Sequence, residues 1–190
     1  MIDASPLIYL AQVEGLLWLE KLFGQVHMTA QVHHEVLTNK GKPGEWAISE
    51  ALQRGSLRLL ERDWPGPQFP WLGEGEASCI RAAVNLGQPC LILLDDKEAR
   101  RTAEGLSPEG VAVSGTVAIV GAAKQRGLIP FARNVFDELQ RKGFRIADDL
   151  VQGVLESLGE QVPEMAKPRR ATTSGAQKPR RPKPRRRRST

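Results

Sequence analysis

Short apolar runs rich in β-forming residues alternate along the chain with stretches in which apolar residues recur at helical spacing. The apolar runs predict strands at 1–2, 25–28, 56–60, 90–94 and 111–113. The run at 90–94 is continuously apolar, which is typical of a parallel strand that is covered on both faces. Strands that alternate with helices indicate an α/β domain with a mainly parallel sheet.

The helical segments carry their own start and stop signals. Ser5 followed by Pro6 predicts an N-cap and a first helical residue, Thr29 can cap another helix, and Gly24 ends a third. The helix that Gly24 ends covers 16–23. Further helices are predicted up to residue 54 and at 74–86, 97–104, 116–126, 131–142 and 146–158. The segment 64–70 must be irregular, because three prolines cannot continue a helix or a central strand.

The chain of 190 residues divides into an acidic body and a basic tail. Residues 167–190 hold eleven Lys or Arg and no acid, so the formal charge of +5 for the whole chain becomes −6 for residues 1–166. The tail has no apolar pattern and is rich in proline, which predicts disorder for 159–190. The body at 1–158 has enough apolar residues for one core, so we expect one domain there.

Several classes of protein are disfavoured. No apolar run approaches the roughly 18 residues of a membrane span, and the N-terminus lacks the pattern of a secretory signal. Cys79 and Cys90 are the only cysteines and lack C-x-x-C spacing, which argues against a disulfide framework or a structural zinc site. We therefore expect a cytoplasmic protein that does not contact a membrane.

Acidic residues lie at or near the predicted strand ends. Asp3 follows the first run, and Asp95 and Asp96 follow the strongest one. Glu76 lies in the first turn of the preceding helix, and Glu35 lies on a separate helix. Acids at the carboxyl ends of parallel strands can converge at one edge of the sheet. Converging carboxylates repel one another unless a cation neutralises them, and oxygen ligands select Mg²⁺ or Mn²⁺.

A carboxylate site of this kind suits the hydrolysis of phosphodiesters. Each acid also has a structural explanation on its own. Asp3 could cap a helix, and Asp95 with Glu98 fits a capping box. Glu76 could complement a helix dipole, and Glu35 could be a solvated surface acid. The prediction of a site therefore depends on the joint arrangement of the acids.

Five short motifs follow one another along the chain. They are Asp-Ala-Ser-Pro-Leu-Ile at 3–8, Val-His-His-Glu-Val at 32–36, Gly-Glu-Ala at 75–77, Leu-Leu-Asp-Asp-Lys-Glu-Ala-Arg at 93–100 and Ser-Gly-Thr at 114–116. Together they resemble the PIN domain, and more narrowly its prokaryotic branch related to VapC-type toxins. The resemblance implies a three-layer α/β/α domain and an acidic pocket that binds Mg²⁺ or Mn²⁺ and cleaves RNA. It also implies a homodimer and, for many relatives, an antitoxin partner.

The resemblance also implies roles for individual residues. The acidic positions that match are Asp3, Glu35, Glu76 and either Asp95 or Asp96, with Asp96 preferred as the ligand. Thr116 matches a hydroxyl position that supports the pocket. Arg100 could orient a substrate phosphate or pair with a neighbouring acid. Ser78 departs from the family pattern, because that branch often has a further Glu at this position.

The sequence thus predicts a metal-dependent endoribonuclease, with a toxin of a toxin–antitoxin pair as its narrower form. The alternative is a noncatalytic nucleic-acid-binding module that retains the fold. A phosphatase with an aspartyl nucleophile is disfavoured, because no DxDxT-like segment follows the first strand. The positive charges at 178–188, with no aromatic side chain among them, favour sequence-independent attraction to RNA phosphates. A solvated tail, or one that binds the acidic body, is the other interpretation.

Overall fold

The structure is a computed structural model and describes residues 1–38, 41–106 and 110–160. These residues form nine helices and four strands. The helices are α1 (Ala4–Ala11), α2 (Gly15–Phe23), α3 (Ala30–Leu37), α4 (Glu45–Arg54), α5 (Glu74–Asn85), α6 (Lys97–Leu106), α7 (Thr116–Gln125), α8 (Ala132–Arg141) and α9 (Asp148–Ser157). The strands are β1 (Val26–Thr29), β2 (Leu57–Leu60), β3 (Cys90–Leu93) and β4 (Val111–Ser114). No helix in the described ranges is long and apolar enough to cross a bilayer.

The strands form two parallel pairs that the N-terminal segment joins. β1 pairs with β2, and β3 pairs with β4. Between the two pairs, Ile2 forms a parallel bridge with Leu93, and its N–H donates to the carbonyl of His27 over 2.9 Å. The order is therefore β2, β1, N-terminal segment, β3, β4. The predicted α/β fold with a parallel sheet is confirmed. The predicted strand at 1–2 is an isolated bridge at the centre of the sheet.

Helices flank this sheet and bury its apolar side chains. α5 packs against both β1 and β3, and α1 packs against α2, α3, α4 and α7. The largest fully buried side chains come from the N-terminal segment, the strands and the flanking helices; they include Ile2, Leu7, Met28, Ile92 and Phe136. Their burial supplies the main favourable free energy of folding.

The first helix begins earlier than predicted. Its N-cap is Asp3, whose Oδ2 accepts a hydrogen bond from the Ser5 N–H at 3.4 Å. Pro6 occupies the third helical position, where its missing N–H is still one of the unpaired donors of the first turn. The prediction of Ser5 as the N-cap is therefore wrong. The prediction of Thr29 as the N-cap of α3 is confirmed, since its Oγ1 accepts from the Val32 N–H at 3.3 Å.

The folded part of the chain extends at least to Glu160. Its carboxylate accepts hydrogen bonds from the N–H groups of Ala132 and Arg133, at 2.7 and 3.0 Å. It thereby caps α8, whose own N-cap residue offers no side-chain acceptor. The other residues of the predicted disordered tail, 161–190, lie outside the described residues.

Candidate active site

Acidic side chains from four elements approach one another at the carboxyl edge of the sheet. Asp3 ends the N-terminal segment, and the others lie on or next to helices: Glu35 on α3, Glu76 on α5 and Asp96 just before α6. The carboxylates of Glu35 and Asp3 both come close to Gly75. A Cβ atom at this position would lie 2.9 Å from Glu35 Oε2 and 3.0 Å from Asp3 Oδ1. Gly75 therefore lies against both carboxylates, and a side chain at this position would displace them.

Burial and neighbouring negative charges raise the pKa values of Asp3 and Glu76. Burial raises the pKa of Asp3 to about 7, and the charges of Glu76 and Glu35 add to the increase, although hydrogen bonds from the first turn of α1 oppose it. Burial likewise raises the pKa of Glu76, and the charges of Asp96 and Glu35 contribute. The four acids thus form one electrostatic group, which we call the carboxylate cluster. Uncompensated negative charge of this kind attracts a cation.

Three members of the carboxylate cluster also cap helices. Asp3 caps α1, as described above. Glu76 Oε2 accepts from the N–H of Gly73 at 2.9 Å, which closes the start of α5. Asp96 Oδ1 accepts from two backbone N–H groups in the first turn of α6, at 2.8 and 2.9 Å. The predicted capping role of Asp95 is therefore wrong, because Asp96 performs it. Within the described residues Glu76 Oε1 and Asp96 Oδ2 have no hydrogen-bond partner.

The carboxylate cluster is not arranged as a closed ligand shell. Across residues 1–38, 41–106 and 110–160, no three His, Cys, Asp or Glu side chains are grouped so that they could hold a metal ion. Glu76 and Asp96 each have one oxygen turned towards a helix N-terminus. The chemistry of the donors nevertheless fits a hard divalent cation, because every donor is a carboxylate oxygen.

Asp95 lies beside the carboxylate cluster but has different partners. Its Oδ1 accepts from the Thr116 N–H at 2.8 Å, and its Oδ2 accepts from the Thr116 hydroxyl at 2.7 Å. A Cβ on Gly115 would lie 3.0 Å from Asp95 Oδ1 and 3.2 Å from Arg100 Nη1. Burial raises the pKa of Asp95, whereas Thr116 and the positive charge of Arg100 lower it. We call these four residues the Asp95–Thr116 junction.

Sequence reasoning missed a buried pair of hydroxyl groups below the carboxylate cluster. The Thr29 and Ser78 oxygens are 2.6 Å apart, and Ser78 Oγ donates to the carbonyl of Gly75 at 2.7 Å. Since Ser78 uses its hydrogen there, Thr29 donates to Ser78 while it accepts from the Val32 N–H. This chain of hydrogen bonds ties the start of α3 to the first turn of α5, the two helices that carry Glu35 and Glu76. The available signal was a small polar residue among apolar positions of α5.

Open clefts give access to both parts of the site. A cleft of about 580 Å³ lies beside Glu35, Glu74 and Gly75. A second cleft, of about 510 Å³, lies beside Asp95, Arg100 and Gly115. Both volumes are within the range of small-molecule sites. A nucleotide can therefore reach either flank of the acidic edge.

Comparison with known proteins agrees with the motifs. A family model described as PIN domain matches residues 1–160. No curated protein and no solved structure matches the chain. The matched range includes every member of the carboxylate cluster and of the Asp95–Thr116 junction.

Proposed function

Because the chain belongs to the PIN-domain family, whose fold is of the nuclease type, we propose that it is a metal-dependent endoribonuclease. The observation that carries the proposal is the approach of Asp3 and Glu35 to the same point at Gly75. A buried carboxylate with a raised pKa at a parallel strand end, such as Asp3, is typical of a functional site. The substrate is RNA, and the reaction is hydrolysis of a phosphodiester bond.

The carboxylate cluster would hold Mg²⁺ or Mn²⁺. Asp3 and Glu35 are the central ligands, and Glu76 and Asp96 supply the oxygens that their capping bonds leave unused. When bound, the cation activates water and neutralises the phosphate oxygens in the transition state. Asp95 was an alternative ligand in the sequence prediction. Its two bonds to Thr116 favour a supporting role instead.

The remaining residues position the substrate and the acids. Asp3 is only 4% exposed, so its carboxylate is held in a poorly hydrated environment where electrostatic interactions are strong. Arg100 has no salt bridge within the described residues and lies next to the cleft beside Gly115. We assign its guanidinium to a phosphate of the RNA, which it can bind through two parallel hydrogen bonds. Thr116 is a positioning residue that acts through Asp95.

The basic segment supports RNA as the substrate. Residues 167–190 carry eleven positive charges and would add sequence-independent, salt-dependent affinity for phosphates. Deletion of residues 167–190 should lower the affinity for RNA at low salt and reduce the slope of affinity against salt concentration. Fluorescence anisotropy with a labelled oligonucleotide measures both. An unchanged affinity and slope would remove the tail from the proposal.

Cleavage of a mixed RNA substrate by the purified protein is the direct test. The reaction is run with Mg²⁺, with Mn²⁺ and with chelator, for the wild type and for Asp3→Asn and Asp96→Asn. Asparagine is a good N-cap residue, so both variants retain the helix caps and lose only the charge. We expect metal-dependent cleavage by the wild type and its loss in both variants, with folding checked by thermal unfolding.

The alternative function is a noncatalytic nucleic-acid-binding module. The capping bonds of Glu76 and Asp96 favour it, because they compete with a role as ligands. RNA binding alone does not separate the two functions, since both predict it. Absence of metal-dependent cleavage on several substrates, together with retained RNA binding, would decide for the module.

The narrower predictions from the resemblance are tested separately. A toxin would arrest growth when expressed, and its Asp3→Asn variant would not. Homodimerisation is tested by the mass of the purified protein in sedimentation. The VapC-type branch, the antitoxin partner and a cytoplasmic location stay predictions.

A further inference from the structure

The side chain of Trp71 is an exposed indole that is held in place from two sides. It is 64% exposed. Its Nε1–H donates to Thr102 Oγ1 at 3.4 Å, and its ring meets the buried ring of Phe69 edge to face, with centroids 6.0 Å apart. Edge-to-face pairs are favourable beyond the area that they bury. A large apolar ring that is both open to solvent and fixed has the properties of a binding platform.

Trp71 lies where two helices of the candidate site meet. It precedes Gly73, the N-cap of α5, by two residues, and it contacts Thr102 on α6. The same two helices carry Glu76 and Asp96 at their N-terminal ends. The indole is therefore attached to the part of the molecule that holds two members of the carboxylate cluster.

Positive charges lie on the same helix as the partner of Trp71. Lys97 and Arg101 are exposed on α6 and are one helical turn apart. Arg101 is adjacent to Thr102 in sequence, and its ion pair with Glu98, at 2.9 Å, is exposed on both sides. Exposed pairs of this kind are weak, so a phosphate can compete for the arginine. A fixed aromatic ring attached to a helix that also carries exposed cations is a combination typical of single-stranded nucleic-acid sites.

We propose that Trp71 is a stacking platform for an unpaired nucleobase of RNA beside the carboxylate cluster. The inference rests on the proposed function and deepens it, because it assigns a residue outside the acidic site to contact with a base of the RNA substrate. A base can stack on the indole only when it has left a duplex, since both of its faces are covered there. Lys97 and Arg101 then contact phosphates of the same strand.

The test is binding of a labelled single-stranded RNA and of a duplex RNA of the same length, with chelator so that no cleavage occurs. The variants are Trp71→Ala, Trp71→Phe and Trp71→Leu in the full chain. The matched control is Trp46→Ala, since Trp46 on α4 is 77% exposed and, in the part of the chain that the structure describes, has no hydrogen bond or ring contact with α5 or α6. Moderate salt reduces the contribution of the basic segment.

We expect Trp71→Ala to weaken single-strand binding by roughly tenfold or more, the effect of losing one stacked base. Trp71→Phe should retain most of the affinity, and Trp46→Ala all of it. Duplex binding should not change. Trp71→Leu keeps an apolar side chain against Phe69 without an aromatic face, so it provides the test if the alanine variant does not fold.

Three results would overturn the platform. They are unchanged single-strand affinity in Trp71→Ala and Trp71→Leu, equal loss for single-stranded and duplex RNA, and a change in oligomer mass in place of RNA affinity. The last would reassign Trp71 to a protein contact. Because the assay needs no metal, a wild type that binds through Trp71 without cleaving RNA would refute only the nuclease. If the wild type cleaves RNA but Trp71→Ala and Trp71→Leu bind single-stranded RNA as tightly as the wild type, only the platform is refuted.

Discussion

The carboxylate cluster and the Asp95–Thr116 junction are neighbouring acidic regions with opposite electrostatic character. Each is built around a glycine at which an added Cβ would lie 3.0 Å from an aspartate oxygen. In the carboxylate cluster, the charges around Asp3 and Glu76 are negative and raise both pKa values. In the junction, burial also raises the pKa of Asp95, but the groups around it are hydrogen-bond donors and a guanidinium, which oppose this increase. Among the residues that the structure describes, the acids of the carboxylate cluster form no salt bridge, whereas the junction contains Arg100.

This difference separates the roles of acids that look alike in the sequence. Burying an unpaired carboxylate is costly, so an acid that is retained without a positive partner is a candidate ligand for a cation. An acid with two hydrogen bonds and a nearby arginine contributes to stability as it stands. We therefore expect substitutions in the carboxylate cluster to change activity. Substitutions of Asp95, Gly115 and Thr116 in the junction should change mainly stability, whereas Arg100 is assigned to the substrate.

Asp3→Asn should have the largest effect. The variant keeps the cap of α1 but loses the charge that faces the cation, so activity should fall by roughly 10³-fold or more. Cleavage rates at saturating Mg²⁺ or Mn²⁺ measure this. The thermal stability without metal should rise, because a buried, repelled carboxylate is removed. The stabilisation of the wild type by added Mn²⁺ should disappear in the variant. A variant with near wild-type activity would exclude Asp3 as a central ligand.

Gly75→Ala and Gly115→Ala form a matched pair, one in each region. Neither glycine has a positive φ, so the added Cβ acts only through contacts. At Gly75 it meets the carboxylates of Glu35 and Asp3, and we expect activity to fall by about 100-fold, as for a displaced catalytic group. At Gly115 it meets the backbone carbonyl of Leu94 at 3.1 Å, which cannot move as easily as a side chain.

For Gly115→Ala we therefore expect a loss of about 1–3 kcal/mol in the free energy of unfolding, the usual effect of overpacking. Denaturant unfolding and cleavage rates are measured on both variants. The reverse result, with Gly75→Ala the less stable and Gly115→Ala the less active protein, would contradict the division between the two regions.

The pH dependence of stability without metal should reveal the unbalanced charge of the carboxylate cluster. Asp3 has an ordinary pKa of 3.8, which burial raises to about 7 in the folded protein. Between these values the folded state holds a proton that the unfolded state has lost. The free energy of unfolding should therefore fall as pH rises, by up to about 1.4 kcal/mol per pH unit.

Asp3→Asn should remove this contribution, so its stability should be less dependent on pH between about pH 4 and pH 7. Asp96→Asn is the control, because it keeps Asp3. Urea unfolding at a series of pH values, with chelator, gives both curves. Parallel curves for the wild type and Asp3→Asn would show that Asp3 is not the group that retains the proton.

Asp95→Asn should have the smallest effect on activity and a clear effect on stability. The amide can accept only one of the two hydrogen bonds from Thr116, which leaves a buried donor without its acceptor at a cost of about 1–3 kcal/mol. Asp96→Asn, one residue away, should cost little because asparagine caps α6 as well. Thermal unfolding compares the two. Equal stability of the variants would refute the supporting role of Asp95.

The motifs and the α/β alternation could be predicted because they depend on residues close together in the chain. The strand at 90–94 and the N-cap Thr29 were predicted on this basis and are confirmed. The prediction of Ser5 as an N-cap is wrong, and the alternative that Asp3 caps the helix is confirmed. The cap of α6 is Asp96 and not the predicted Asp95. In both pairs the candidates are close in sequence and equally suitable by residue type.

The order of the elements, the acidity of the strand ends and the family all follow from the amino-acid sequence. Periodicity and residue type act within a few positions, so they can be read along the chain. Tertiary packing selects which aspartate bonds to Thr116, because that partner comes from 21 positions further along the chain. It also decided that Thr29 reaches Ser78 across 49 positions. These choices depend on how the strands and helices pack, and no local pattern encodes that packing.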